Sequence, residues 1–216
     1  GPTMTAAQCE IAVANGRTLV RALPGNAVLL GEMGIANTSA ASLLLARLGG
    51  QALADCVGAG TGLDAVGVAR KAAVLHQVLA LHAAAVTPLQ ALAAFGGFEI
   101  ATLVGVVLQA AQERRVVVVD GFITDAAVLV ATALEPHALQ RCVFSHRSAE
   151  SGHGLMLRLL APAVPPLLDL DLRLGEGSGA ALAWPLLVSA CAVLEGMASF
   201  ESAGVSDKTS PAGDGA

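Results

Sequence analysis

The chain has 216 residues, of which 55% are hydrophobic and 13% charged, with a net charge of -5. That length suits one large domain with a sizeable core, and the acidic balance argues against non-specific nucleic-acid binding. The charged fraction is about half the globular norm of roughly 25%, which implies that part of the surface is buried in an oligomer.

Residues 1–4 are compatible with a cloning scar, and no N-terminal stretch has the order of a signal peptide. "AVLL" (Ala27 to Leu30) then leads through "GEMGIANTS" into the helix-period run "AASLLLARL", with Asn37, Thr38 and Ser39 as candidate caps and Gly49 and Gly50 as its close. "ALADCV" (Ala52 to Val57) reads as a strand leading through "GAGTGLD" into a long helix, capped by Asp64 and ending near Ala85. Thr87 before Pro88 is an N-cap with proline at the first helical position. "VVVVD" (Val116 to Asp120) feeds "ITDAAVLVATAL", "RCVF" (Arg141 to Phe144) feeds "SHRSAESGHG" and "LMLRLL", and "PLLDL" (Pro166 to Leu170) feeds the "RLGEGSG" loop. The apolar run "AALAWPLLVSACAVL" (Ala180 to Leu194) reads as a buried helix, short of a membrane span. Residues 1–200 form a single core on this reading, and 201–216, small, polar and proline-containing, a disordered tail.

Short apolar strands alternating with helices predict an α/β fold: Rossmann-like, three-layered α/β/α, with a mostly parallel sheet. In such a sheet ligands bind beyond the carboxyl ends of the strands. The loops found there carry Glu32, Asn37, Thr38, Thr61, Asp64, Asp120, Ser145, His146, Arg147, Ser148 and Glu176, most of the informative polar residues of a hydrophobic chain.

Each motif has a plain alternative. Gly60, Gly62 and Ala65 fit G-x-G-x-x-A, but the acid expected about twenty positions later is missing, so a tight turn around Thr61 beside a smaller ligand is favoured over a dinucleotide. The loop Gly31 to Ser39 suits a phosphate at a helix N-terminus, or simple capping, about equally. His146 and His153 lack a third ligand for a metal, and Ser148 lacks an identifiable base and stabiliser for nucleophilic work. His76 and His82 lie on the long helix without an assigned role, and Lys71, taken alone, reads as a solvated helix face. The cysteines Cys9, Cys56, Cys142 and Cys191 are scattered, with no C-x-x-C, which fits a reducing cytoplasm rather than a disulfide framework.

Taken together, "GEMGIANTSAA", "GAGTGLDAVGVARK", "ALAAFGGFEIA", "VVVVDGFITDAA", "SHRSAESGHG", "LRLGEGSGAALAWPLL" and "MASF" resemble the nicotinate-nucleotide–dimethylbenzimidazole phosphoribosyltransferase family, in family order from about Ala6 to Ala203. The resemblance implies a homodimer that moves phosphoribose from nicotinate mononucleotide to a benzimidazole, with no metal and no cofactor. It makes Glu176, followed by Gly177, the general base. It puts Glu32 and Lys71 at substrate-contacting positions, and the loop Gly34 to Thr38, with Ser148, at the phosphate; Gly60, Thr61, Gly62 and Asp120 complete the expected binding set. Flanking glycines would let a flat ring approach Glu176. Two departures stand out. Ala36 replaces the family's usual glycine, so a positive φ there would be strained. The family's N-terminal portion, which supplies further strands and part of the base pocket, is not in this sequence. A shortened relative that binds without catalysis, or a transferase with another acceptor base, is the alternative reading.

Overall fold

A computed structural model describes residues 1–60 and 62–204. The chain divides into two compact units, Gly1–Ala183 and Trp184–Ala216. The first is an α/β unit in which every strand pairing among the described residues is parallel, as the alternating pattern predicts.

Three strands, β1 (Ala27–Leu29), β2 (Val116–Val119) and β3 (Cys142–Phe144), lie in the order β1-β2-β3. Two more, β4 (His146–Ser148) and β5 (Leu168–Leu172), form a second pair. Ser145 joins the two ladders: its amide donates to the Val119 carbonyl at 2.9 Å, and its own carbonyl accepts from Leu168 at 2.9 Å. β2 is central, and Val117, Val118 and Val119 are buried, which is why it reads as four valines without alternation. β5, "LDLDL", is an edge strand whose alternating aspartates face water.

Parallel strands need crossovers, and helices supply them. Between β1 and β2 run α2 (Thr38–Gly49), α3 (Leu53–Cys56), α4 (Ala65–Leu81), α5 (Pro88–Phe95) and α6 (Phe98–Gln112). Between β2 and β3 runs α7 (Phe122–Leu134), with a 3-10 turn over Pro136–Arg141, and between β4 and β5 runs α8 (His153–Leu160). The first helix, α1 (Ala6–Ala22), packs on α6, and a methyl group on Gly16 or Gly105 would collide with the facing main chain, at Thr102 and Val13 respectively. Met4 is buried, and its amide donates to Ala93 at 3.0 Å, so residue 4 belongs to the packed unit.

Three capping signals hold, while Asn37 stands at the N-cap of α2 without a side-chain cap bond. Asp64 accepts from Gly67 N at 2.8 Å, Thr87 forms a reciprocal box with Gln90, and Gly50 closes α2 at φ 63°. Other expectations fail. "ALADCV" is the one-turn helix α3 rather than a strand; its core, Leu-Ala-Asp-Cys, has no β-branched residue. β5 begins two residues later than "PLLDL" because Pro165 and Pro166 cannot donate to a ladder. The last helix, α9 (Ser178–Gly196), was expected to be buried. Among the described residues it is instead the one helix long and apolar enough to cross a membrane, with only 17% of the relevant window buried in this chain. The second unit comprises the rest of α9 and turns up to Gly204, with Leu186, Leu194, Met197 and Phe200 exposed. The expected tail falls from residue 205 onward outside the described residues.

Candidate active site

The carboxyl ends of the parallel strands open on a cavity of about 470 Å³. Eight expected residues line it: Glu32 and Gly34 after β1, Asn37 and Thr38 at the start of α2, Gly60 and Gly62 before α4, Asp120 after β2, and Ser148 in β4. Lys71, Ala36, Glu176 and Gly177 do not line it, and Thr61 lies outside the described residues.

Glu32 is half-buried and accepts a hydrogen bond from Asn37 Nδ2 at 2.6 Å. Burial raises its pKa; the Asn37 bond opposes this, and nearby Glu99 and Asp120 add to the rise. Asn37 occupies the N-cap position of α2, but its side chain reaches Glu32 instead of capping. Ala36 has φ 70°, the left-handed conformation that a glycine would adopt freely.

Lys71 is half-buried rather than solvated. Its ammonium donates to Thr38 Oγ1 at 2.9 Å and to the Gly58 carbonyl at 3.2 Å, so it braces the first residue of α2 from beneath. Burial lowers its pKa, with partial compensation from Glu150.

The Glu176 loop is built from three consecutive left-handed residues, Gly175 (φ 76°), Glu176 (φ 59°) and Gly177 (φ 80°). Its glycines answer to backbone geometry as well as to any approaching ring. Gly31 lies so close to Gly177 that a Cβ on Gly31 would come within 2.6 Å of the Gly177 Cα. The Glu176 amide donates to the Glu32 carbonyl at 3.2 Å, tying together the loops after β5 and β1. Glu176 is exposed, directly following Gly175, which lines the cavity.

Two buried carboxylate–histidine pairs support the cavity floor. His153 Nδ1 accepts from the Ser148 amide at 2.7 Å, which leaves its proton on Nε2, 2.8 Å from Asp125 Oδ2. Burial raises the Asp125 pKa, with His153 working against it. His146 Nε2 stands 3.6 Å from Asp120 Oδ1, beyond a hydrogen bond but within ion-pairing reach. Burial works against the charged ring of His146, yet the Asp120 carboxylate outweighs it and the pKa rises. Burial likewise opposes the Asp120 anion, but His146 and the amides of Ala180 and Gly177 outweigh it and the pKa falls.

Sequence reasoning passed over Asp125, Glu150 and Arg173, and weighed His153 only as a metal ligand; Glu150 and Arg173 line the cavity. The available signal for Asp125 is a lone acid inside the apolar run "ITDAAVLV", and for Arg173 a lone base just ahead of "LGEGSG".

A family model described as phosphoribosyltransferase matches residues 1–205. The nicotinate-nucleotide–dimethylbenzimidazole phosphoribosyltransferase of Variovorax paradoxus (strain S110) is 71% identical over 210 residues, covering 97% of this chain and 60% of that protein. The enzyme of the same name from Cupriavidus necator is 58% identical over 95% of this chain and 60% of its own length. The crystal structure of CobT from Thermus thermophilus superposes with a TM-score of 0.89 at 39% identity, over 95% of this chain and 62% of that one. The chain thus spans about 60% of the length of the curated relatives it matches.

Proposed function

From its membership of the phosphoribosyltransferase family, to which this chain belongs, we propose that the protein transfers phosphoribose from nicotinate mononucleotide to 5,6-dimethylbenzimidazole or a similar base. The products are α-ribazole 5′-phosphate and nicotinate, a step of cobalamin lower-ligand assembly. One nitrogen of the benzimidazole attacks the anomeric carbon, the bond to the nicotinate nitrogen breaks, and the configuration inverts. Nicotinate departs as a neutral ring nitrogen, so no strong acid is required. The attacking base must lose the proton on its other nitrogen, and Glu176 accepts it. Glu32 faces the positive charge that develops on the ribose. The amides from Gly34 to Thr38, with Thr38 held by Lys71, and the Ser148 hydroxyl receive the phosphate.

The observation that supports this reading is the main-chain bond between Glu176 and Glu32, which ties the loop after β5 to the loop after β1 beside the cavity that Glu32 and Gly175 line. The test is a transfer assay with nicotinate mononucleotide and dimethylbenzimidazole, beside calorimetric binding of the nucleotide. Glu176→Gln should lower kcat by about 10²- to 10⁴-fold while the nucleotide Kd stays within about threefold. Unchanged turnover rejects Glu176 as base. Binding without turnover in the wild type favours the non-catalytic relative, and transfer to a different acceptor favours the other transferase.

The protein acts, in this proposal, as a cytoplasmic homodimer. Its four cysteines are free thiols, which suits a reducing compartment, and the apolar side chains on α9 offer a surface for a second copy.

A further inference from the structure

We propose that Asp120 is a positioning residue, which aims Glu176 by holding the main chain on its carboxyl side and does not itself contact substrate; this rests on the function proposed above. Asp120 Oδ1 accepts from Gly179 N at 2.7 Å and from Ala180 N at 3.2 Å, and Oδ2 accepts from Gly177 N at 3.1 Å. These amides belong to the loop and the first turn of α9, whose N–H groups have no partner within the helix. A carboxylate offers about four acceptor sites. Three go to these amides and His146 closes off Oδ1 at 3.6 Å, which leaves a single acceptor site, on Oδ2, so the carboxylate is committed chiefly to the loop even though Asp120 borders the cavity.

The loop is pinned on both sides of the acid. The Glu176 amide is tied to Glu32, and the next amide, that of Gly177, is tied to Asp120. Gly179 leaves no slack, because a Cβ there would lie 2.8 Å from Asp120 Oδ1 and 2.6 Å from His146 Nε2. The left-handed turn at Glu176 is one that a non-glycine residue holds only under such constraint. Asp120 directly follows the buried central strand, so it links that strand to the Glu176 loop.

The test is a double-mutant cycle of Asp120→Asn and Glu176→Gln in the full chain. The asparagine keeps the shape but exchanges one acceptor oxygen for a donor. Asp120→Asn should lower kcat by about tenfold or more, with the KM for nicotinate mononucleotide changed by less than about threefold. Placed on Glu176→Gln it should add less than about threefold, because it acts through a base already removed. A full multiplicative loss, or a raised KM with unchanged kcat, would overturn the proposal in favour of direct substrate contact. Hydrogen exchange gives a second readout that does not depend on turnover: in Asp120→Asn the amides of Gly177, Gly179 and Ala180 should exchange at least about tenfold faster while α2 is unaltered. Unaltered exchange at those three amides overturns the proposal as well. If Glu176→Gln turns over normally, the base assignment fails, and the exchange measurement still reports separately whether Asp120 holds the loop.

Discussion

At residue scale, the site combines strain with support. Ala36 is held at φ 70° in the loop that opens α2. The left-handed conformation costs a residue with a Cβ about 1–2 kcal/mol, while glycine adopts it freely. Ala36→Gly should therefore raise the unfolding free energy by about 0.5–1 kcal/mol, the glycine's extra unfolded-state entropy taking back part of the gain. A urea melt with unchanged slope checks this; a loss of stability would mean that the alanine sits there without strain. Which residues gather at the cavity was largely legible, because loops after parallel strands converge by topology. What each one does there was less so. Asn37 looks like a helix cap in sequence and serves Glu32 instead. Lys71 looks solvated because its neighbours in sequence say nothing of Thr38. The role of Asp120 depends on amides brought from far along the chain, which no local pattern encodes.

At the scale of elements, local chemistry was readable where it is self-contained. The caps at Thr87 and Asp64 and the valine run of β2 needed only their own neighbours. The strand β4, hidden in a polar loop, exists because Ser145 hands the chain to a second ladder, a tertiary event. A similar long-range element is the end of α4. Its last carbonyls are capped by Arg47 of α2, whose guanidinium donates to the carbonyls of Leu79, His82, Ala83 and Ala85, and lies 5.2 Å from the centre of the Phe95 ring. One planar fork thus joins α2, α4 and α5, and a lysine offers neither the fork nor the stacking. Arg47→Lys should cost about 2–3 kcal/mol of stability, measured by chemical denaturation, with the cap lost despite retained charge. A loss below about 0.5 kcal/mol would show that the charge alone suffices.

At the scale of the whole molecule, composition and structure point the same way. A chain with 13% charged residues leaves Leu182, Leu186, Val188, Val193 and Leu194 of α9 open to solvent. On the proposed dimer, sedimentation at micromolar concentration should give twice the chain mass of 21.5 kDa, and Leu186→Glu should shift it towards the monomer. A monomer for the unsubstituted chain would leave the dimer without support. The sheet also governs when the cleft can exist. Each parallel pairing closes only after an entire crossover has been laid down, and nonlocal closures of that kind are slow. Glu32 leaves the first strand and Glu176 follows the last, so their meeting awaits every intervening closure. On the proposed mechanism, base and ribose-facing carboxylate are therefore assembled late, by the sheet and not by either loop alone.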